Sequence, residues 1–132
     1  MSKKKVIVIG CGGRGQTYAN VMKDSFDEDF EVVAVAEPVD ARRNYMKEKH
    51  GLDEAMCFTT WEPLLDLPKL ADIAVIATMD REHFAPAMAA MELGYDLLLE
   101  KPAAPTAEEC VLLSKKAKEK GVKVLVCHVL RY

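Results

Sequence analysis

The residues with the clearest chemical potential near the start of the chain are glycines. Gly10, Gly12 and Gly15 fit the pattern G-x-G-x-x-G within the turn Gly10-Cys11-Gly12-Gly13-Arg14-Gly15. The pattern alone is a weak signal. It gains meaning because an apolar run, Val6-Ile7-Val8-Ile9, precedes it and a helical pattern follows. Gly10 permits a tight turn, Gly12 leaves room for a pyrophosphate against the backbone, and Gly15 lets the helix approach the strand. The phosphates would sit on unpaired amides at the positive end of that helix. The alternative is a glycine-rich turn with no ligand.

A dinucleotide site also needs an acid after the second strand. Glu37 is there, in Ala34-Val35-Ala36-Glu37-Pro38, roughly 20 residues beyond the last glycine. A carboxylate at that point accepts hydrogen bonds from the adenosine ribose and repels a 2′-phosphate. It therefore favours NAD, with NADP as the other possibility. Arg42 and Arg43 weaken that preference, because either could reach a 2′-phosphate, although on a helix flank both could simply be solvated.

Ligands of open parallel sheets bind at the carboxyl ends of the strands. Thr78 and Met79 leave the fourth strand in position to line the dinucleotide. Asp80 reads first as a helix cap, and His83 faces either the cofactor or the helix start. The fifth strand ends in Glu100-Lys101-Pro102. Lys101 could hydrogen-bond a hydroxyl that becomes a carbonyl as hydride leaves, and a lowered pKa would let it help remove the proton. On the residues alone, a surface lysine beside a glutamate is the simpler reading. Arg131 and Tyr132 would emerge on the same side of the sheet.

These groups need elements to hold them. Strands are expected at Lys5–Ile9, Glu31–Ala36, Asp72–Ala77, Asp96–Glu100 and Lys123–Val129, with a weaker one at Ala55–Phe58. Their runs are continuously apolar, as in strands covered on both faces. Helical patterns separate them. Tyr18, Val21 and Met22 mark the inward side of the first helix, and Asp40 starts the second, which Gly51 ends. Phe84, Ala87, Met88 and Met91 form a stripe on a helix that Asp80 can cap. Thr106 and Glu109 make a capping box for a helix carrying Ala107, Cys110, Val111, Ser114 and Ala117 on one side. Strand–helix alternation requires parallel pairing and right-handed crossovers. The expected fold is α/β, a doubly wound parallel sheet of about six strands with helices on both faces.

Composition sets outer limits. The chain has 132 residues, 50% hydrophobic and 30% charged, with a formal net charge of -3. That suits one globular domain, residues 1–132, and gives no nucleic-acid footprint. The apolar run after Lys3-Lys4-Lys5 is too short for a signal peptide or a membrane span. The four cysteines form no metal-type spacing, so no metal site is expected, and reduced thiols in a cytoplasmic protein are.

Taken together, the glycine turn, Glu37-Pro38, His83, Glu100-Lys101-Pro102 and the Arg131-Tyr132 ending resemble the glucose–fructose oxidoreductase / inositol dehydrogenase / MocA family. Leu93-Gly94-Tyr95-Asp96-Leu97-Leu98-Leu99-Glu100-Lys101-Pro102 is the most specific stretch. The resemblance implies an NAD(P)-binding domain of an oxidoreductase that moves hydride between a nicotinamide cofactor and a sugar, inositol or related polyol. It implies Lys101 as a substrate-contacting catalytic lysine. The implied cofactor contacts are Gly10, Gly12, Gly13, Arg14, Gly15, Glu37, Arg42, Thr78, Met79, His83, Glu100, Lys101 and Arg131. The family's second, substrate-binding domain has no counterpart here, nor have its downstream histidine and aspartate. The chain is thus expected to be a piece of a longer enzyme, inactive alone, whose oligomer surface belongs to the missing domain. Two other readings compete. A non-catalytic nucleotide-binding or redox-sensing module would have no need of Lys101. A methyltransferase would normally end in an antiparallel hairpin, and nothing after Gly121 resembles one.

Overall fold

The structure is a computed structural model that describes residues 4–10, 13–25, 28–77, 84–100 and 107–127, with backbone alone at 13–15, 17, 18, 100, 107, 109, 110 and 125–127. The order is β1 (Lys4–Ile9), α1 (Gly13–Ser25), β2 (Phe30–Ala36), α2 (Asp40–His50), a 3-10 turn (Glu54–Met56), β3 (Cys57–Phe58) and α3 (Trp61–Leu65). Then come β4 (Ile73–Ile76), α4 (Phe84–Glu92), β5 (Asp96–Glu100), α5 (Ala107–Lys120) and β6 (Val124–Cys127). The strands form one sheet in the order β3-β2-β1-β4-β5-β6, and each pairing is parallel. This is the expected doubly wound arrangement. Its strand order reverses between β1 and β4, where such sheets open a crevice for ligand.

The continuous apolar runs follow from cover on both faces. Val6 and Val8 point to one side and pack with Ala19 of α1 and Met46 of α2. Ile7 and Ile9 point to the other and join Leu64 and Leu65 of α3, Ala87, Ala90 and Met91 of α4, and Leu113 of α5. Each of these buried Val, Ile, Leu or Met side chains stabilises the fold by about 1.5–3 kcal/mol. A bulge interrupts the β1–β2 pairing. Val6 opposes Val32, but Ile7 opposes Ala34, so the extra residue, Val33, shifts the register. That is why Val32 and Val35, three apart, share the α1–α2 face.

Helix faces depart from expectation in two places. Val21 is 46% exposed, while among the described side chains of α1 Ala19 and Met22 face inward; the side chain of Tyr18 lies outside the described residues. On α5, Val111 is 57% exposed while Leu113 is buried. In both helices the apolar stripe is narrow, so periodicity fixed its phase poorly. The first two strands start one residue earlier than expected, at Lys4 and Phe30, while other strand bounds contract. Asp72 precedes β4, where its carboxylate accepts the Lys5 N–H at 2.9 Å. Glu54–Met56 is a 3-10 turn that leaves β3 only Cys57 and Phe58. The α4 stripe holds, with Ala87 and Met91 buried and Phe84 and Met88 packed against the core. Gly51 ends α2 at φ 64, where its N–H donates to the Lys47 carbonyl. The proposed caps Asp80 and Thr106 lie outside the described residues, as does the chain beyond Cys127.

Candidate dinucleotide site

The carboxyl edge of the sheet gathers the ends of β1, β2 and β4. Gly10, immediately after β1, has φ 92, a conformation that glycine adopts without a Cβ clash. Its N–H donates to the Ala36 carbonyl at 2.9 Å, which ties the glycine turn to the end of β2. On the other side, the Ala77 N–H donates to the Ile9 carbonyl at 2.8 Å, so β4 ends beside the same turn. Helix α1 starts at Gly13, three residues past Gly10, and Gly13, Arg14 and Gly15 form its first turn. Its first amides lack helical partners, as at any helix start, and carry the positive end of the macrodipole.

Glu37 follows β2 directly. It is 3% exposed, a buried carboxylate in an otherwise apolar core. Its backbone N–H donates to the Phe58 carbonyl at 2.8 Å. Its Oε2 accepts the Val39 N–H at 2.9 Å, at the start of α2, where the helix dipole favours negative charge. Arg42, half exposed, brings Nη1 to 3.9 Å from the same oxygen. Arg43 behaves differently from its neighbour. Nη1 donates to the Glu37 carbonyl at 2.8 Å and to the Pro38 carbonyl at 3.4 Å, while Nη2 pairs with Asp40.

The structure therefore brings Gly10, Gly13, Arg14 and Gly15 to one end of the sheet with Glu37 and Arg42. Glu100 ends β5 along that edge, opposite Cys127 of β6. Gly12, Thr78, Met79, His83, Lys101 and Arg131 lie outside the described residues, as does Tyr132. The bonding of Arg43 was not legible beforehand; the Asp40–Arg43 spacing of one helical turn was the signal for part of it.

Two other features do not mark this site. A groove of about 980 Å3 runs along α5 beside Leu99, Val111, Ala117 and Val124 and contains neither Gly10 nor Glu37. Its apolar lining suits packing rather than phosphate. Among the described residues, the largest titration shift belongs to His50, at the far end of α2. Burial, aided by Lys23 and Lys49, pushes its imidazole from 6.5 down to about 4. Burial also raises the thiol of Cys57, which makes it a poor nucleophile. Among the described residues no group of three or more metal-binding side chains occurs, and no helix is long and apolar enough to cross a membrane.

The family model described as "Oxidoreductase family, NAD-binding Rossmann fold" matches residues 4–128. The chain belongs to the glucose–fructose oxidoreductase / inositol dehydrogenase / MocA family. It is 28% identical over 131 residues to scyllo-inositol 2-dehydrogenase (NADP(+)) of Bacillus subtilis (strain 168), covering 97% of this chain and 34% of that protein. It is 26% identical over 133 residues to D-xylose 1-dehydrogenase (NADP(+)) of Hypocrea jecorina, covering 95% and 34%. Among solved structures, biliverdin reductase of Synechocystis sp. PCC 6803, in complex with biliverdin and NADP+, superposes with a TM-score of 0.85 at 28% identity, covering 96% of this chain and 38% of that one. The chain thus spans about a third of the length of the curated relatives it matches.

Proposed function

We propose that residues 1–132 form the nicotinamide-dinucleotide-binding domain of a longer oxidoreductase whose second domain supplies most of the substrate pocket. One observation carries this reading: the positive-φ Gly10 is hydrogen-bonded to the end of β2, one residue before the Glu37 carboxylate and just before the start of α1. Pyrophosphate and ribose lie close together in such a cofactor, and these groups sit close together here.

The first amides of α1 and the unhindered backbone at Gly12 hold the pyrophosphate. Glu37 orients the adenosine ribose and, through its negative charge, favours NAD over NADP. Arg42 offers a 2′-phosphate a compensating cation, so NADP is disfavoured rather than excluded. Thr78, Met79 and His83 line the dinucleotide beyond β4, while Glu100 and Arg131 border its nicotinamide end. Lys101 is the catalytic residue that binds the reacting hydroxyl and assists its deprotonation. A bound dinucleotide supplies the hydride acceptor or donor. The curated relatives carry the names of an inositol and a sugar dehydrogenase, which supports a polyol or sugar substrate for the longer protein. We place the enzyme in the cytoplasm, with oligomerisation through the second domain.

Calorimetric titration of the chain with NAD and NADP tests the reading. Wild type should bind NAD more tightly, and Glu37→Ala should reduce the preference by about tenfold. Failure of wild type to bind either dinucleotide would defeat it.

A further inference from the structure

The turn that carries Glu37 closes on itself through one side chain. The Glu37 carboxylate accepts the Val39 N–H, and the Val39 carbonyl accepts the Arg43 N–H at 3.0 Å. The Arg43 guanidinium then reaches back over the turn to the Glu37 carbonyl, and its other arm holds Asp40. This side chain is only 17% exposed, against 52% for Arg42. Two adjacent arginines therefore hold different positions. Arg42 points along the surface toward the Glu37 carboxylate, whereas Arg43 is committed to backbone oxygens inside the turn.

We propose that Arg43 is a positioning residue for cofactor discrimination: it fixes the Glu37–Asp40 turn so that the Glu37 carboxylate stays at the ribose position. The inference rests on the reading of Glu37 as the ribose reader and extends it to a residue that touches no part of the cofactor. Arginine is suited to the task by its geometry. A planar fork with several donors spans a carbonyl and a carboxylate at once, which the single ammonium of lysine does not. Without the clamp, the turn relaxes and the carboxylate moves. NAD then loses an oriented acceptor, and NADP loses a repulsive charge. The two affinities shift in opposite directions, which a general loss of stability would not produce.

The test measures NAD and NADP dissociation constants of the 132-residue chain by calorimetry, together with thermal unfolding. Arg43→Ala should lower the ratio of the NADP to the NAD dissociation constant by about tenfold, with NAD weaker and NADP equal or tighter. Arg43→Lys should lower it nearly as far, because charge without the fork does not hold the turn. Asp40→Asn, which weakens one arm only, should move the ratio in the same direction by less and guards against misfolding of the larger changes. Asp96→Ala, at the opposite edge of the sheet, should reduce stability with the ratio unchanged. An equal weakening of both cofactors in the Arg43 variants would reduce Arg43 to a purely structural role and overturn the inference. A selective loss of NADP would make it a direct phosphate contact, with the same consequence. No binding of either cofactor by wild type would instead bring down the cofactor reading itself, and the inference with it.

Discussion

The two edges of the sheet use carboxylates in opposite ways. At the amino edge, Asp72 accepts the N–H of Lys5 and Asp96 accepts that of Lys123 at 3.0 Å, each reaching from one strand to the start of the next. The Asp96 N–H in turn donates to the Asp72 carbonyl at 3.1 Å. At the carboxyl edge, backbone bonds alone link β1 to its neighbours among the described residues, through the N–H groups of Gly10 and Ala77. There the Glu37 carboxylate accepts an amide of its own turn, that of Val39. One edge thus uses its carboxylates to hold distant segments together. The other sets an acid in the turn that begins α2, near a glycine in positive φ. The inter-strand carboxylate bonds and the Glu37 turn occupy opposite ends of the same strands.

That contrast can be broken by substitutions at each end. The largest effect is expected from Gly12→Val, which should weaken NAD binding by at least about a hundredfold while the unfolding temperature stays close to wild type. Retained affinity in calorimetry would remove the glycine turn from the carboxyl-edge site. Lys101→Ala, in a protein that also carries the substrate domain, should cost about a hundredfold in kcat and little in cofactor affinity. A change chiefly in NAD affinity would make Lys101 a cofactor contact instead.

The amino edge should answer in stability alone. Asp96→Ala is expected to cost about 1 kcal/mol in urea unfolding, with the NAD dissociation constant unchanged. A change in affinity would show that the two edges are coupled.

The smallest effect concerns pH. His50 lies at the end of α2 beside a cavity of about 40 Å3 that it shares with Met22, Lys23, Phe30, Glu31 and Val32. Its Nε2 is buried and unpartnered among the described residues. Its folded pKa, about 4, lies below the ordinary 6.5, so the unfolded chain takes up the proton first. Stability should therefore fall as pH drops below 6.5 toward 4, and His50→Leu should flatten that slope. Comparison of wild type and variant across that range isolates the effect, because the two differ in no carboxylate. An unchanged slope in the variant would assign the pH dependence elsewhere. On the proposed site at the other end of the strands, NAD affinity should not follow it.

Much of this organisation was legible from the residues. Continuous apolar runs separated by helical patterns imply a parallel sheet with both faces covered, and the observed strand order agrees. The Gly10 turn and Glu37 also fall where the motif spacing put them. Helix phase was less legible: Val21 and Val111 lie outward because a stripe of few apolar residues fixes its rotation only loosely. The adjacent arginines show the same limit. Both follow the same strand, but rotation along α2 directs Arg43 into the turn and leaves Arg42 outside it.

By itself the sequence determined the alternation of strand and helix and the position of the glycine turn. Both rest on local constraints, namely side-chain periodicity and the φ values that a Cβ forbids. It also carried the family resemblance that the match over residues 4–128 bears out. Only the tertiary structure decided which carboxylates link neighbouring strands and which one is buried at the start of α2. Those roles depend on which amide each acid meets, and strand register sets that by bringing Lys5 beside Asp72 and Lys123 beside Asp96. Register is a property of the assembled sheet, so local pattern could not supply it.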